Sequence, residues 1–125
     1  MKLRVRENSL RIRLVQTEVQ KLVNGQSVEQ TTDFSPSSSL IVRVEPCLRT
    51  EQLAALFVDH RLSILLPPAA VRRWAETDQV AIEANQPVGD GRFLNILIEK
   101  DFACLLSRAG DDVDAFPNPK HKTTG

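Results

Sequence analysis

One pattern of apolar residues is written twice in this chain, 52 positions apart, and it restricts the fold more than any other feature. Leu10, Ile12, Leu14, Val19, Leu22 and Val28 map at that constant offset onto Leu62, Ile64, Leu66, Val71, Trp74 and Val80. Five of the six pairs are identical, and no gap is needed. In both windows an alternating run is followed by a short helix-period stretch and then a second alternating run. A period of two buries one face of a strand, and a period near 3.6 buries one stripe of a helix. The order predicts two pseudo-symmetric units, each a β-hairpin, a short helix and two further strands. A repeat fixes architecture and leaves function open.

The first unit begins with Leu3 and Val5 alternating with Lys2, Arg4 and Arg6. After Glu7-Asn8-Ser9, Leu10, Ile12 and Leu14 alternate with Arg11 and Arg13. Two half-buried strands joined by a tight polar turn follow from that pattern. Thr17-Glu18-Val19-Gln20 offers a capping box for a helix carrying Val19, Leu22 and Val23, and Asn24-Gly25 ends it. Residues 27–32 and 40–45 read as strands, joined by a serine-rich loop over residues 35–39 that is expected to be mobile. The second unit opens with residues 53–58, turns at Asp59-His60-Arg61 and returns through residues 62–66. Pro67-Pro68 starts its helix, where missing amide donors do no harm. Val71, Trp74 and Ala75 form the buried stripe, so Trp74 is expected as a core plug. Val80, Ile82 and Ala84 resume alternation, Gly89-Asp90-Gly91 is a hairpin turn, and residues 93–102 form a strand near the centre of a sheet.

At 125 residues, with 42% apolar and 26% charged side chains, the chain suits one soluble globular domain. Its bounds are expected at 1–106, with pseudo-repeats 1–44 and 53–96. Residues 107–125 read as an irregular acidic loop and a flexible tail. No apolar run approaches the roughly 20 residues that a membrane span requires. The N-terminus lacks the apolar block of a signal peptide, so a cytoplasmic location is expected. The two cysteines, Cys47 and Cys104, match no zinc spacing and are expected as free, mostly buried thiols.

Charge is zero overall but unevenly placed. Lys2, Arg4, Arg6, Arg11 and Arg13 crowd the first hairpin, while Glu99, Asp101, Asp111, Asp112 and Asp114 lie toward the other end. Alternation puts all five cations on the solvent face of two neighbouring strands. Such a cluster repels itself unless anions sit nearby. These five residues are the candidate anion- or partner-binding site. Three uses stay open: a solvated or internally paired edge that also discourages aggregation, a protein partner, and nucleic acid.

Other chemistry is less well supported. Cys104, Asp111, Asp112, Asp114 and His121 include metal-ligand types, yet neither the zinc nor the calcium pattern is complete, and no metal or other cofactor is expected. His60 and His121 are the only histidines. No nucleophile elbow, phosphate loop or dinucleotide glycine pattern occurs, so catalytic residues are expected to be none. An enzyme would instead require a pocket around Cys104 or His60.

Two resemblances rest on particular segments. Glu7-Asn8-Ser9-Leu10-Arg11-Ile12-Arg13-Leu14, a short helix and Val28-Glu29 resemble the swapped-hairpin unit of AbrB-type regulators and MazE-type antitoxins. Leu62-Ser63-Ile64-Leu65-Leu66-Pro67, a helix and Val80-Ala81-Ile82-Glu83 repeat the likeness. That resemblance implies DNA binding through basic residues on strands and loops. Extra strands follow each unit here, and Ser63 and Leu65 stand where the first copy has Arg11 and Arg13. Over nearly its whole length the chain resembles a family of small bacterial proteins of unknown function. Residues 7–14 and 74–80, Glu99-Lys100-Asp101-Phe102-Ala103-Cys104-Leu105 and Asp114-Ala115-Phe116-Pro117-Asn118-Pro119 carry the likeness.

The expected fold is α+β, a mainly antiparallel curved sheet or barrel built from the two pseudo-symmetric units. The expected function is a non-catalytic binding or regulatory module with a protein partner or self-association. The alternative is a DNA-binding regulator or antitoxin-like protein that uses the basic hairpin.

Overall fold

Alternation in the opening residues produces the first hairpin, and the order hairpin, helix, hairpin occurs twice along the chain. A computed structural model describes residues 1–102 and Phe116. The elements are β1 (Lys2–Arg6), β2 (Ser9–Leu14), α1 (Gln16–Val23), β3 (Val28–Ser35) and β4 (Ser38–Pro46). They continue with β5 (Ala54–Val58), β6 (Arg61–Leu66), α2 (Pro68–Glu76), β7 (Ala81–Gly89) and β8 (Arg92–Lys100). The α+β class expected from the sequence is the class observed.

The strands form two four-stranded sheets, ordered β1-β2-β8-β7 and β3-β4-β6-β5. Sequence-adjacent strands pair antiparallel, whereas the central contacts, β2 with β8 and β4 with β6, are parallel. Each half therefore gives one hairpin to each sheet. The expected barrel is not formed, because β1 and β7 end one sheet and β3 and β5 end the other. β8 lies between β2 and β7, inside its sheet as expected, with Ile96 and Ile98 buried on the inner face and Phe93 exposed on the outer one.

A single apolar core joins the two sheets and both helices. Leu10, Ile12, Leu14, Ile96 and Ile98 come from the first sheet, and Val42, Val44, Leu62, Ile64 and Leu66 from the second. Val19 and Leu22 of α1 and Val71 and Trp74 of α2 complete it. Trp74 has no exposed surface, as a plug between helix and sheets should have. Its indole N–H donates to the Val80 carbonyl at 2.9 Å, which satisfies the ring's one polar group.

Three local expectations need correction. The cap of α1 is Val15, and Thr17 lies inside the first turn. Valine has no side-chain acceptor, so only the glutamate half of a capping box operates, the Glu18 carboxylate accepting from the Val15 N–H at 3.0 Å. The serine-rich stretch shrinks to a turn at Pro36-Ser37, since Ser35 and Ser38 are paired and both strands extend to meet it. Cys47, expected as a free and mostly buried thiol, is free and partly buried. Finally, Val28 faces Val44 whereas Ile82 faces Ile98, so the counterpart of Val28 is Ile82 and the offset grows from 52 to 54 after α2.

Helix and turn ends follow their residues. Gly25 has φ of 82°, and the N–H groups of Gly25 and Gln26 bond the Leu22 and Lys21 carbonyls at 3.0 and 2.8 Å, closing α1. Pro68 occupies the first turn of α2. The β5–β6 turn holds Asp59 and His60 at φ of 51° and 62°, residue types that tolerate the left-handed region.

Candidate functional site

Parallel pairing of β2 with β8 builds the site. It sets Arg13 beside Glu99 and Arg11 beside Leu97 on the outer face of the first sheet. On the other side of β2, Arg11 faces Arg4 and Arg13 faces Lys2. The sheet thereby gathers Lys2, Arg4, Arg6, Arg11 and Arg13 on one face. Lys2, Leu3, Arg4, Arg11 and Arg13 line an open depression of about 280 Å³.

The same face carries its own anions. One Glu99 oxygen accepts from Arg11 Nε at 2.8 Å and from Arg13 Nε at 2.6 Å, and the other lies 3.3 Å from Arg11 Nη2. Burial pushes the Glu99 carboxyl up, but the hydrogen bonds and charges of Arg11 and Arg13 outweigh it and hold the group below the ordinary range. Lys2 Nζ lies 3.3 Å from a carboxylate oxygen of the buried Asp101. Arg4 and Arg6 have no ion-pair or side-chain hydrogen-bond partner among the described residues. Among the described residues the cluster is thus divided into three anchored cations and two that are unmatched.

Glu99 and Asp101 were legible as acids near the far end of the chain but not as partners of the hairpin. Only the parallel pairing unites them with residues more than eighty positions away. Lys100 sits between them, buried, with Nζ donating to the Thr77 carbonyl at 2.9 Å and lying 5.4 Å from the Phe116 ring centre. Burial lowers its pKa, and the charge of Asp78 opposes that shift.

Gln86 of β7 was not singled out by any sequence pattern. Its amide reaches the other sheet, accepting from the Ala55 N–H at 2.7 Å and donating to the Ala55 carbonyl at 2.9 Å. The outward main-chain groups of β5 at Ala55 are satisfied in this way. Beyond that clamp, Leu56, Phe57 and Val58 are all exposed.

His60 is exposed at the β5–β6 tip, where its carbonyl accepts from the Ile41 N–H at 3.0 Å. Cys104, Asp111, Asp112, Asp114 and His121 lie outside the described residues. Among the described residues no group of three metal-ligand side chains occurs, and no helix is long and apolar enough to cross a membrane.

A two-sheet α+β domain with a cationic hairpin face is the class that these features define. The chain belongs to a family of unknown function, DUF7009, whose model matches residues 1–120. No curated protein and no solved structure matches it.

Proposed function

We propose that this protein is a non-catalytic binding or regulatory module that engages an anionic surface of a partner protein through the β1–β2 hairpin. The observation that carries the reading is the division of the cluster. Glu99 holds Arg11 and Arg13 in place, whereas Arg4 and Arg6 stand beside them unmatched among the described residues. Anchored arginines lose little freedom on binding, and unmatched ones gain most from a new carboxylate. The shared core and interlocked hairpins of residues 1–102 support a single domain, which we place at 1–106 with pseudo-repeats 1–44 and 53–96, and a cytoplasmic location belongs to the same reading.

Nucleic acid is the second reading, favoured by five cations spaced along two strands. A protein partner is preferred because the net charge is zero and Glu99 and Asp101 weaken the field of this face. The test compares the parent with an Arg4→Glu/Arg6→Glu variant on an immobilised polyanion such as heparin. Salt-dependent retention lost in the variant is expected, and identical elution of the two removes the proposal. A salt-sensitive mobility shift of duplex DNA, abolished by Arg4→Glu with Arg11→Glu, would move the assignment to nucleic acid.

A further inference from the structure

We infer that the partner enters as an extended acidic segment that adds to the first sheet as a new strand beside β1, with a carboxylate at every second residue. This rests on the binding role proposed above and specifies its geometry.

The free edge of β1 follows from its register. Arg6 faces Ser9 across the two-residue Glu7-Asn8 loop, so Arg6–Ser9, Arg4–Arg11 and Lys2–Arg13 are the pairs that exchange main-chain hydrogen bonds. Leu3 and Val5 lie between them, with N–H and C=O directed away from β2. The other sheet supports this assignment, because Ala55 faces Ile64 as Leu3 faces Ile12, and the Ala55 N–H and C=O do point outward, onto Gln86.

Beside β1 the equivalent clamp is missing among the described residues. Gln86 faces Leu94, and the position of β3 that matches it is Thr32, which faces Leu40. Threonine is too short to offer both halves of an amide, and Thr32 makes no side-chain hydrogen bond among the described residues. The β5 edge is clamped at Ala55 and apolar beyond it, whereas the β1 edge carries no such clamp among the described residues and is cationic.

The chemistry of the occupant follows from the two faces of β1. A strand laid about 4.8 Å from β1 alternates its side chains in step with it. Residues on the outer face fall beside Lys2, Arg4 and Arg6, which call for carboxylates. Residues on the inner face fall beside half-buried Leu3 and beside Val5, which is 64% exposed and gains an apolar neighbour. A second copy of β1 is a poor occupant, because antiparallel self-pairing sets cation against cation.

The experiment measures anisotropy of labelled peptides with the full chain at low salt. The probes are a capped seven-residue peptide alternating Glu with Val, a peptide of the same composition with its Glu residues contiguous, and the alternating peptide with N-methylated amides. The alternating peptide is expected to bind, with the contiguous one about tenfold weaker and the N-methylated one lost. Val5→Pro removes an outward N–H without breaking the ladder to β2, and is expected to weaken the alternating peptide about tenfold while leaving polyanion retention and Trp74 emission unchanged. Equal binding of the three peptides would overturn strand addition and leave the anionic reading standing. A concentration-dependent dimer abolished by Val5→Pro would assign the edge to a second copy and also overturn it. Absence of any peptide binding, together with absent polyanion retention, would remove both this inference and the reading beneath it.

Discussion

The indole N–H of Trp74 bonds the Val80 carbonyl at 2.9 Å, tying α2 to the segment before β7 in which the offset grows from 52 to 54. The largest buried side chain thus anchors the place where the repeat loses its constant spacing. Its emission is expected to be blue-shifted, and emission typical of water-exposed indole would contradict the placement. Trp74→Ala is expected to cost about 3–5 kcal/mol, and Trp74→Phe, which keeps most of the volume but loses the bond, about 1–2 kcal/mol, both read by denaturant melts.

Glu99→Gln removes the anion shared by Arg11 and Arg13. Because both arginines are about two-fifths exposed, the expected loss is modest, about 1–2 kcal/mol. The depressed carboxyl contributes stability that is fully present above the unfolded value, about 4.3, and is lost as pH falls through the lower folded value. Acid melts of the variant are expected to be flatter than those of the parent over that window. Freeing two cations is also expected to strengthen polyanion retention.

Lys100 works in the opposite pH range. Its folded pKa is depressed by burial, so between that value and the unfolded value of about 10.4 the unfolded chain binds more protons and stability rises with pH. Lys100→Met is expected to abolish that alkaline rise, measured as the difference between parent and variant melts across the range. At neutral pH the variant should be within about 1 kcal/mol of the parent, because relief of the buried charge offsets the lost bond to Thr77.

Gln86→Ala leaves the Ala55 N–H and C=O without their partner and is expected to cost about 1–3 kcal/mol. Gln86→Glu should cost at least as much, since a carboxylate cannot donate to the Ala55 carbonyl. Both variants also expose more of the β5 edge next to Leu56, Phe57 and Val58. Light scattering on warming is expected to rise earlier than in the parent.

Local physics was legible where it acts over a few residues. Alternation placed β2 and β6, Gly25 marked the end of α1, and Pro68 marked the start of α2. Asp90-Gly91 sits in the turn before β8, with both φ values positive. The basic hairpin could be read for the same reason, since five cations at period-two spacing share a face in any strand register. What periodicity could not supply was the neighbour of that face. The pairing of β2 with β8 spans most of the chain, so Glu99 beneath Arg11 and Arg13 had no local signal. The spacing also misled once: Val28 and Val80 match in type, yet main-chain pairing makes Ile82 the true counterpart. Gln86 escaped notice because a polar residue in an edge strand reads as a solvated one.

The exchange of hairpins has a consequence for how the chain must be made. A polypeptide severed between β4 and β5 would leave each fragment holding half of two separate sheets, with its parallel partners on the other piece. Neither fragment could complete a sheet by itself, so regaining the native form would become a bimolecular encounter whose rate depends on concentration. The connection through residues 47–53 turns that encounter into an internal event, and it does so without contributing a strand of its own.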